Sequence, residues 1–238
     1  MRRTKIICTI GPKTESPAML EKLAKAGMNI ARLNMSHGDH SSHKSVIDSL
    51  KILNKKLDHP VGILLDTQGP EIRTGDIAND LHLKAGDVVS IVVRGTDNVE
   101  ESSIQINYED LIKDTNIGDT ITVDNGLINL QVLEKQDRLM KVKVIDGGLL
   151  KSKRHVNLPG VRVNLPAITE KDKRDIKFGI QNMVDFIALS FVRSHKDIKE
   201  VKRIMKKNNS FLPVIAKIEK WEALNDIDNI ISEFDGVM

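Results

Sequence analysis

Asn29-Ile-Ala-Arg-Leu-Asn-Met-Ser-His-Gly38, a helical pattern over residues 40–57, and then Val61-Gly-Ile-Leu-Leu-Asp-Thr67 form the stretch whose reading decides the fold. A short apolar run, a helix and a second short apolar run predict a βαβ unit, and therefore a parallel sheet. Upstream, residues 4–10 read as another strand and residues 17–26 as a helix. That helix opens behind Ser16, a suitable N-cap, and stops at Gly27, which can take the left-handed conformation that ends helices.

Downstream of residue 69 the rhythm changes to strands with turn signals, among them Gly86-Asp-Val-Val-Ser-Ile-Val-Val93, Thr120-Ile-Thr-Val123 and Leu139-Met-Lys-Val-Lys-Val-Ile145. Asp124-Asn-Gly126 between two such runs predicts a hairpin, because Asn and Gly tolerate the positive φ angles of a type I′ turn. The βα rhythm resumes at Thr169, with a helix to Gln181, a strand over 184–191, a helix over 195–206, a strand over 213–219 and a helix over 220–232. A further strand begins at Asp235. The reading is an α/β protein of five complete βα units and the start of a sixth, in residues 1–68 and 167–238, with an all-β module at 69–166 inserted after the third strand. Two sheets fit it: an open doubly wound sheet, or a barrel of eight whose last members are missing.

With 40% hydrophobic residues and 29% charged, the chain can bury a real core. Its net charge of +3 is spread among interleaved acids and bases, and aromatics are only 3%, so it lacks the stacking platform of a single-strand nucleic-acid binder. The one cysteine, Cys8, allows no disulfide within the chain and is expected to be a small buried hydrophobe. No apolar run approaches the ~20 residues that span a bilayer, which points away from a membrane and toward the cytoplasm.

Polar residues gather at the C-terminal ends of the predicted strands, where parallel α/β folds carry their chemistry. The second strand ends in Arg32-Leu-Asn-Met-Ser-His-Gly38, the third in Asp66-Thr67 followed by Gln68-Gly-Pro-Glu-Ile-Arg73, the fourth in Ser190-Phe-Val-Arg193 and the fifth in Lys217-Ile-Glu219. Lys217 and Glu219, two apart on a strand, share a face. Either they pair with each other, or Glu219 holds a hard cation while Lys217 stabilises a transferring phosphoryl group. Arg32 and Arg73 offer forked donors for phosphate, with Asp66 and Thr67 as oxygen donors. No phosphate-binding or dinucleotide-binding glycine loop is present. His37, His40 and His43 fall at a helix start without an acidic or cysteine partner set, so they read as capping and surface residues rather than metal ligands. The basic helix at 197–207 reads as a solvated face.

Together, Lys5-Ile-Ile-Cys-Thr-Ile-Gly-Pro12, Arg32-Leu-Asn-Met-Ser-His-Gly38, Leu64-Leu-Asp-Thr-Gln-Gly-Pro-Glu-Ile-Arg-Thr74, Val156-Asn-Leu-Pro-Gly160, Thr169-Glu-Lys-Asp172, Ala188-Leu-Ser-Phe191 and Lys217-Ile-Glu219 resemble the motifs of the pyruvate kinase family, in that family's order. The resemblance implies a partial TIM (β/α)8 barrel with an inserted small β-barrel lid domain. It implies glycolytic phosphoryl transfer from phosphoenolpyruvate to ADP, giving pyruvate and ATP, with Mg²⁺ and K⁺ as cofactors and a homo-oligomer for the full-length enzyme. Lys217, Arg32 and Arg73 would be catalytic. Arg32, Asn34, His37, Arg154, Ser190 and Lys217 would contact substrate or nucleotide, Glu219 would bind Mg²⁺, and Asn34, Ser36, Asp66 and Thr67 would bind K⁺. Glu71 resembles the glutamate of K⁺-dependent members.

The chain departs from the family pattern at Arg154-His155, where Lys-Gly is usual, and at Lys220-Trp221, where Asn and His or Gln are usual. The family's next motif, Val-Ala-Arg-Gly-Asp-Leu-Gly, and its regulatory domain would follow Met238. The expectation is therefore an incomplete barrel that binds Mg²⁺ weakly and whose own activity is in doubt. A non-catalytic phosphate-binding module is the alternative reading, and a different Mg²⁺-dependent barrel enzyme a more distant one.

Overall fold

The computed structural model describes residues 3–93, 103–161, 163 and 165–238. They form two compact units: residues up to Pro70 with Pro166–Met238, and Glu71–Leu165.

In the first unit six parallel strands, β1 (Ile7–Ile10), β2 (Ile30–Asn34), β3 (Gly62–Asp66), β4 (Phe186–Leu189), β5 (Val214–Ala216) and β6 (Gly236–Val237), lie side by side in chain order. A doubly wound sheet reverses its strand order at a switch point, and this order never reverses. The strands alternate with α1 (Pro17–Ala26), α2 (His40–Asn54), α3 (Glu170–Gln181), α4 (Ile198–Lys207) and α5 (Ile227–Glu233).

Local chemistry sets the helix ends. Ser16 Oγ accepts from Met19 N, and Gly27, at φ 110°, sends its N–H to Ala24 O while Met28 N bonds Leu23 O, the paired bonds of a Schellman stop. Thr169 and Asp172 cap α3 reciprocally, each side chain accepting from the other's backbone N–H.

Several boundaries differ from the sequence reading. Helix α2 ends at Asn54 rather than residue 57, because the Asn54 amide turns away to bond both N and O of Val61 at 2.9 Å. Strand β5 ends at Ala216 rather than residue 219: its neighbour leaves the extended conformation at Phe191, which has φ 55°. Residues 195–197 and 221–226 wind as 3₁₀ turns ahead of α4 and α5. At the second of these, Asp226 is out of helical conformation with its carboxylate drawn to His195 at 2.7 Å. Cys8 is half-buried against the core rather than enclosed in it.

Ala31 and Leu33 of β2, Ile63 and Leu65 of β3, Ile187 and Leu189 of β4 and Val214 and Ala216 of β5 pack under the helices. Side chains alternate along a strand, so Arg32, Asp66, Ala188 and Lys217 project from the opposite face. No helix among the described residues is long and apolar enough to cross a membrane.

The second unit holds a two-stranded antiparallel pair, Leu81–Leu83 with Gly148–Leu150, and a seven-stranded sheet. The order is Ile72–Arg73, His155–Asn157, Thr120–Val123, Ile128–Lys135, Leu139–Asp146, Val88–Val93, Ile104–Ile106, antiparallel except for the last pair. A bridge from Thr74 to Ile106 and the bond from Gly75 N to Gln105 O join the two ends, so the sheet closes on itself. Inward residues such as Ile91, Ile121, Leu130 and Val142 are fully buried in its core. Asn125 and Gly126, at φ 58° and 86°, form the predicted tight turn, and Asp124 joins them at 53°.

Gly147 marks the tightest backbone approach: a Cβ there would sit 2.3 Å from Leu83 O. Since a backbone carbonyl cannot swing aside, Gly147→Ala is expected to lower stability by about 1–3 kcal/mol in urea unfolding. An unchanged midpoint would show that Leu81–Leu83 and Gly148–Leu150 can part.

Candidate active site

Strand register assembles the site. Thr9 pairs with Arg32, Asn34 with Asp66, Asp66 with Ala188, and Leu189 with Ala216, so the ends of β1 to β5 present neighbouring side chains on the helix-free face. Asp66, buried at 1% side-chain exposure, is the hub. Arg32 reaches its Oδ2 through Nε at 2.7 Å and Nη2 at 2.5 Å, and donates through Nη1 to Thr9 Oγ1 at 2.7 Å. Lys217 Nζ lies 3.1 Å from Asp66 Oδ1, 2.8 Å from Ser190 Oγ and 3.3 Å from Glu219 Oε1.

Neither simple reading of Lys217 and Glu219 is complete. They do touch, but the closer carboxylate to Lys217 is Asp66. Ser190 Oγ has one proton, and it goes to Thr67 O at 2.5 Å, while Ser190 N donates to Thr67 Oγ1 at 3.1 Å. Glu219 is held from its other side by Phe191 N, which donates to Oε2 at 3.0 Å. The left-handed backbone of Phe191 aims that N–H, a strained conformation for a bulky residue at the centre of the polar cluster.

Arg32, Asp66, Thr67, Ser190, Lys217 and Glu219 thus come together. Asn34 and Ser36 stand at the adjoining end of β2, where Asn34 Oδ1 accepts from Ser36 N at 3.1 Å. His37 is exposed on the loop that follows, with its carbonyl taken by His43 Nε2 at 2.8 Å. His43 is buried rather than a surface or capping residue, because that carbonyl satisfies its ring; the cap of α2 is Asp39. His40 stacks on Phe178 and bonds Asp175.

Arg73 and Arg154 both belong to the second unit: Arg73 pairs with His155, and Arg154, just ahead of that strand, exchanges bonds with Thr74. Arg73 Nε bonds Glu71 Oε2 at 2.5 Å and its Nη1 bonds Lys153 O at 2.9 Å. Arg154 Nη1 stands 3.6 Å from Asp124, and its Nε is a buried donor without a protein acceptor. The sequence reading passed over Thr9, whose signal was its place two residues from Ile7 on the face opposite Cys8 and Ile10. It also passed over Lys171 and Asp175, which hold the same strand ends from α3.

Among the described residues no group of three or more His, Cys, Asp or Glu side chains could hold a metal ion. The available donors are mixed oxygens. Asn34 Oδ1 keeps a lone pair beyond its bond to Ser36, and Asn34 pairs in the ladder with Asp66, which Thr67 follows; neutral oxygens with one carboxylate suit a hard monovalent ion. Glu219, at 35% side-chain exposure, keeps acceptor capacity on both oxygens, which suits Mg²⁺ bound through one carboxylate plus substrate oxygens.

Residues 1–238 match the family model described as pyruvate kinase, barrel domain. The chain belongs to the pyruvate kinase family. It is 47% identical over 238 residues to pyruvate kinase isozyme G, chloroplastic, of Nicotiana tabacum, covering all of this chain and 42% of the relative. It is 44% identical over 238 residues to plastidial pyruvate kinase 3, chloroplastic, of Arabidopsis thaliana, with the same coverage. It is 46% identical over 241 residues to pyruvate kinase of Staphylococcus epidermidis, covering all of this chain and 41% of the relative. The chain therefore spans about two fifths of the length of these pyruvate kinases.

Among the residues that depart from the family's motifs, Lys220 and Trp221 directly follow Glu219, while Arg154 and His155 belong to the second unit. Lys220 Nζ stacks over the Phe191 ring at 5.6 Å, and Trp221 is exposed at 70%. His155 pairs across the ladder with Arg73 and accepts Asp124 N on its carbonyl. Further along, the Asn229 amide, followed by the backbone N–H and imidazole of His195, holds the Asp226 carboxyl down at about 2.

Proposed function

We propose that this chain carries the phosphoryl-transfer face of an enzyme that moves the phosphoryl group of phosphoenolpyruvate to ADP, yielding pyruvate and ATP. The first unit, nominally residues 1–68 and 167–238, is read as part of a (β/α)8 barrel, and the second, nominally 69–166, as the lid domain that supplies Arg73 and Arg154 as anion contacts. The proposal includes a cytoplasmic location and, for the whole enzyme, a homo-oligomer.

One observation carries the reading: the Lys217 ammonium is held by Ser190 and Asp66 at the strand ends, with Arg32 alongside. All three of its N–H bonds are in use. The contact to Glu219, at 3.3 Å, is the one a phosphoryl oxygen would replace, which frees the Glu219 carboxylate for a cation. Charge developing on a phosphoryl group in flight is best stabilised by donors already in place, since they need no reorganisation. Arg32 adds a planar fork suited to phosphate oxygens. When bound, Mg²⁺ on Glu219 would neutralise phosphate charge and K⁺ on Asn34, Ser36, Asp66 and Thr67 would add a fixed positive charge beside it.

The test uses the native polypeptide that carries this sequence, purified from its source cells. Calorimetric titration with phosphoenolpyruvate in Mg²⁺ and K⁺ is expected to show binding, and addition of ADP is expected to yield pyruvate. Replacing K⁺ with choline is expected to depress the rate. Binding without pyruvate would favour the phosphate-binding module instead; no binding would remove both.

A further inference from the structure

Helix α3 carries two buried carboxylates that the proposed phosphoryl transfer does not use. Asp172 is fully buried and Asp175 is 2% exposed. A carboxylate in such surroundings persists only with partners; Asp172 reaches the chain just after β3 directly, and Asp175 reaches the end of β2 through Lys171.

Asp172 divides its two oxygens. Oδ2 caps its own helix through Thr169 N and Oγ1 at 2.9 and 2.6 Å, and Oδ1 accepts Gly69 N at 2.9 Å, two residues beyond Thr67. Asp175 is held by His40 Nε2 on Oδ1 and Lys171 Nζ on Oδ2, both at 2.7 Å. The same Lys171 ammonium donates to Met35 O at 2.6 Å. Met35 lies between Asn34 and Ser36, and its own N–H bonds Asp66 O at 2.9 Å. The oxygen-bearing ends of β2 and β3 are thus tied to each other and to one turn of one helix.

We infer that Lys171, oriented by Asp175, and Asp172 are positioning residues that set the spacing of the oxygen donors Asn34, Ser36, Asp66 and Thr67 around a bound monovalent cation. The inference rests on the K⁺ reading above and goes beyond it by assigning cation affinity to residues that touch no cation. Lys171 fixes the loop through a carbonyl, and its own charge is balanced by Asp175, so it holds Met35 without adding net repulsion to the site. Outer groups that orient ligands in this way typically govern affinity by about 10- to 100-fold.

The experiment is a K⁺ titration of the native polypeptide and its Lys171→Met, Lys171→Arg and Asp175→Asn variants, with choline chloride holding ionic strength constant. The readout is the rise in melting temperature with K⁺, which reports cation binding independently of catalysis. Lys171 is 41% exposed, so its replacement leaves no buried hole. Lys171→Met and Asp175→Asn are expected to move the K⁺ midpoint upward by about 10- to 100-fold, with Lys171→Arg recovering part of it. A lowered melting temperature at every K⁺ concentration with an unmoved midpoint would mean α3 only stabilises the fold, and would overturn the inference alone. A native protein with no K⁺ response would overturn the cation reading and the inference with it.

Discussion

Replacing Asp66 with alanine is expected to lower stability by about 3–5 kcal/mol, the usual consequence of removing one partner from a buried ionic cluster. The side chain is 1% exposed and faces the guanidinium of Arg32 and the ammonium of Lys217, which are 25% and 13% exposed. Without it the two cations confront each other at the strand ends, and the Ser190 hydroxyl loses one neighbour. The measurement is urea unfolding of Asp66→Ala beside Lys217→Met and the double variant. If the loss comes from an uncompensated charge, the double variant will be destabilised by less than the sum of the singles, because removing Lys217 relieves the repulsion that the Asp66 change creates. Strict additivity, or a loss below about 1 kcal/mol, would mean that water screens the cluster.

Under the proposed function, Lys217→Met is expected to reduce phosphoryl transfer by about 100- to 1000-fold, the range found when one preorganised donor to developing charge is removed. The loss should fall on kcat and on kcat/KM alike if the ammonium acts mainly in the transition state. A rise in KM at unchanged kcat would instead make Lys217 a substrate clamp. Arginine is not expected to rescue: its flat fork does not fit the point between Ser190 Oγ, Asp66 and Glu219 that a compact ammonium fills. Activity within tenfold of the native protein would remove Lys217 from the chemistry and leave it as the counter-ion of Asp66.

The two predictions share a residue pair that sequence spacing could not reveal. Lys217 and Glu219 were visible as neighbours on one face, and a two-residue spacing shows that much. The nearer carboxylate to Lys217 is Asp66, 151 positions away, brought to 3.1 Å by parallel register across β3, β4 and β5. Helix ends were more legible. Ser16, Gly27 and the Thr169 and Asp172 pair act through bonds to residues three or four positions away, so the local string contains the whole interaction. His43 was misread for the opposite reason: its partner is the carbonyl of His37, a backbone atom that any residue type would present.

By itself the sequence determined the alternation of strands and helices, the interruption by β structure, and the gathering of polar side chains at strand ends. Those depend on periodicity and short-range capping. Only the tertiary structure decided that the strands lie in unreversed order, that the second unit closes on itself through Thr74 and Ile106, and that Asp66 rather than Glu219 anchors Lys217 most closely. These are contacts between distant segments. They are selected by which apolar faces pack under the helices and by the need of each buried charge for a partner, and neither condition is written in any local stretch of the chain.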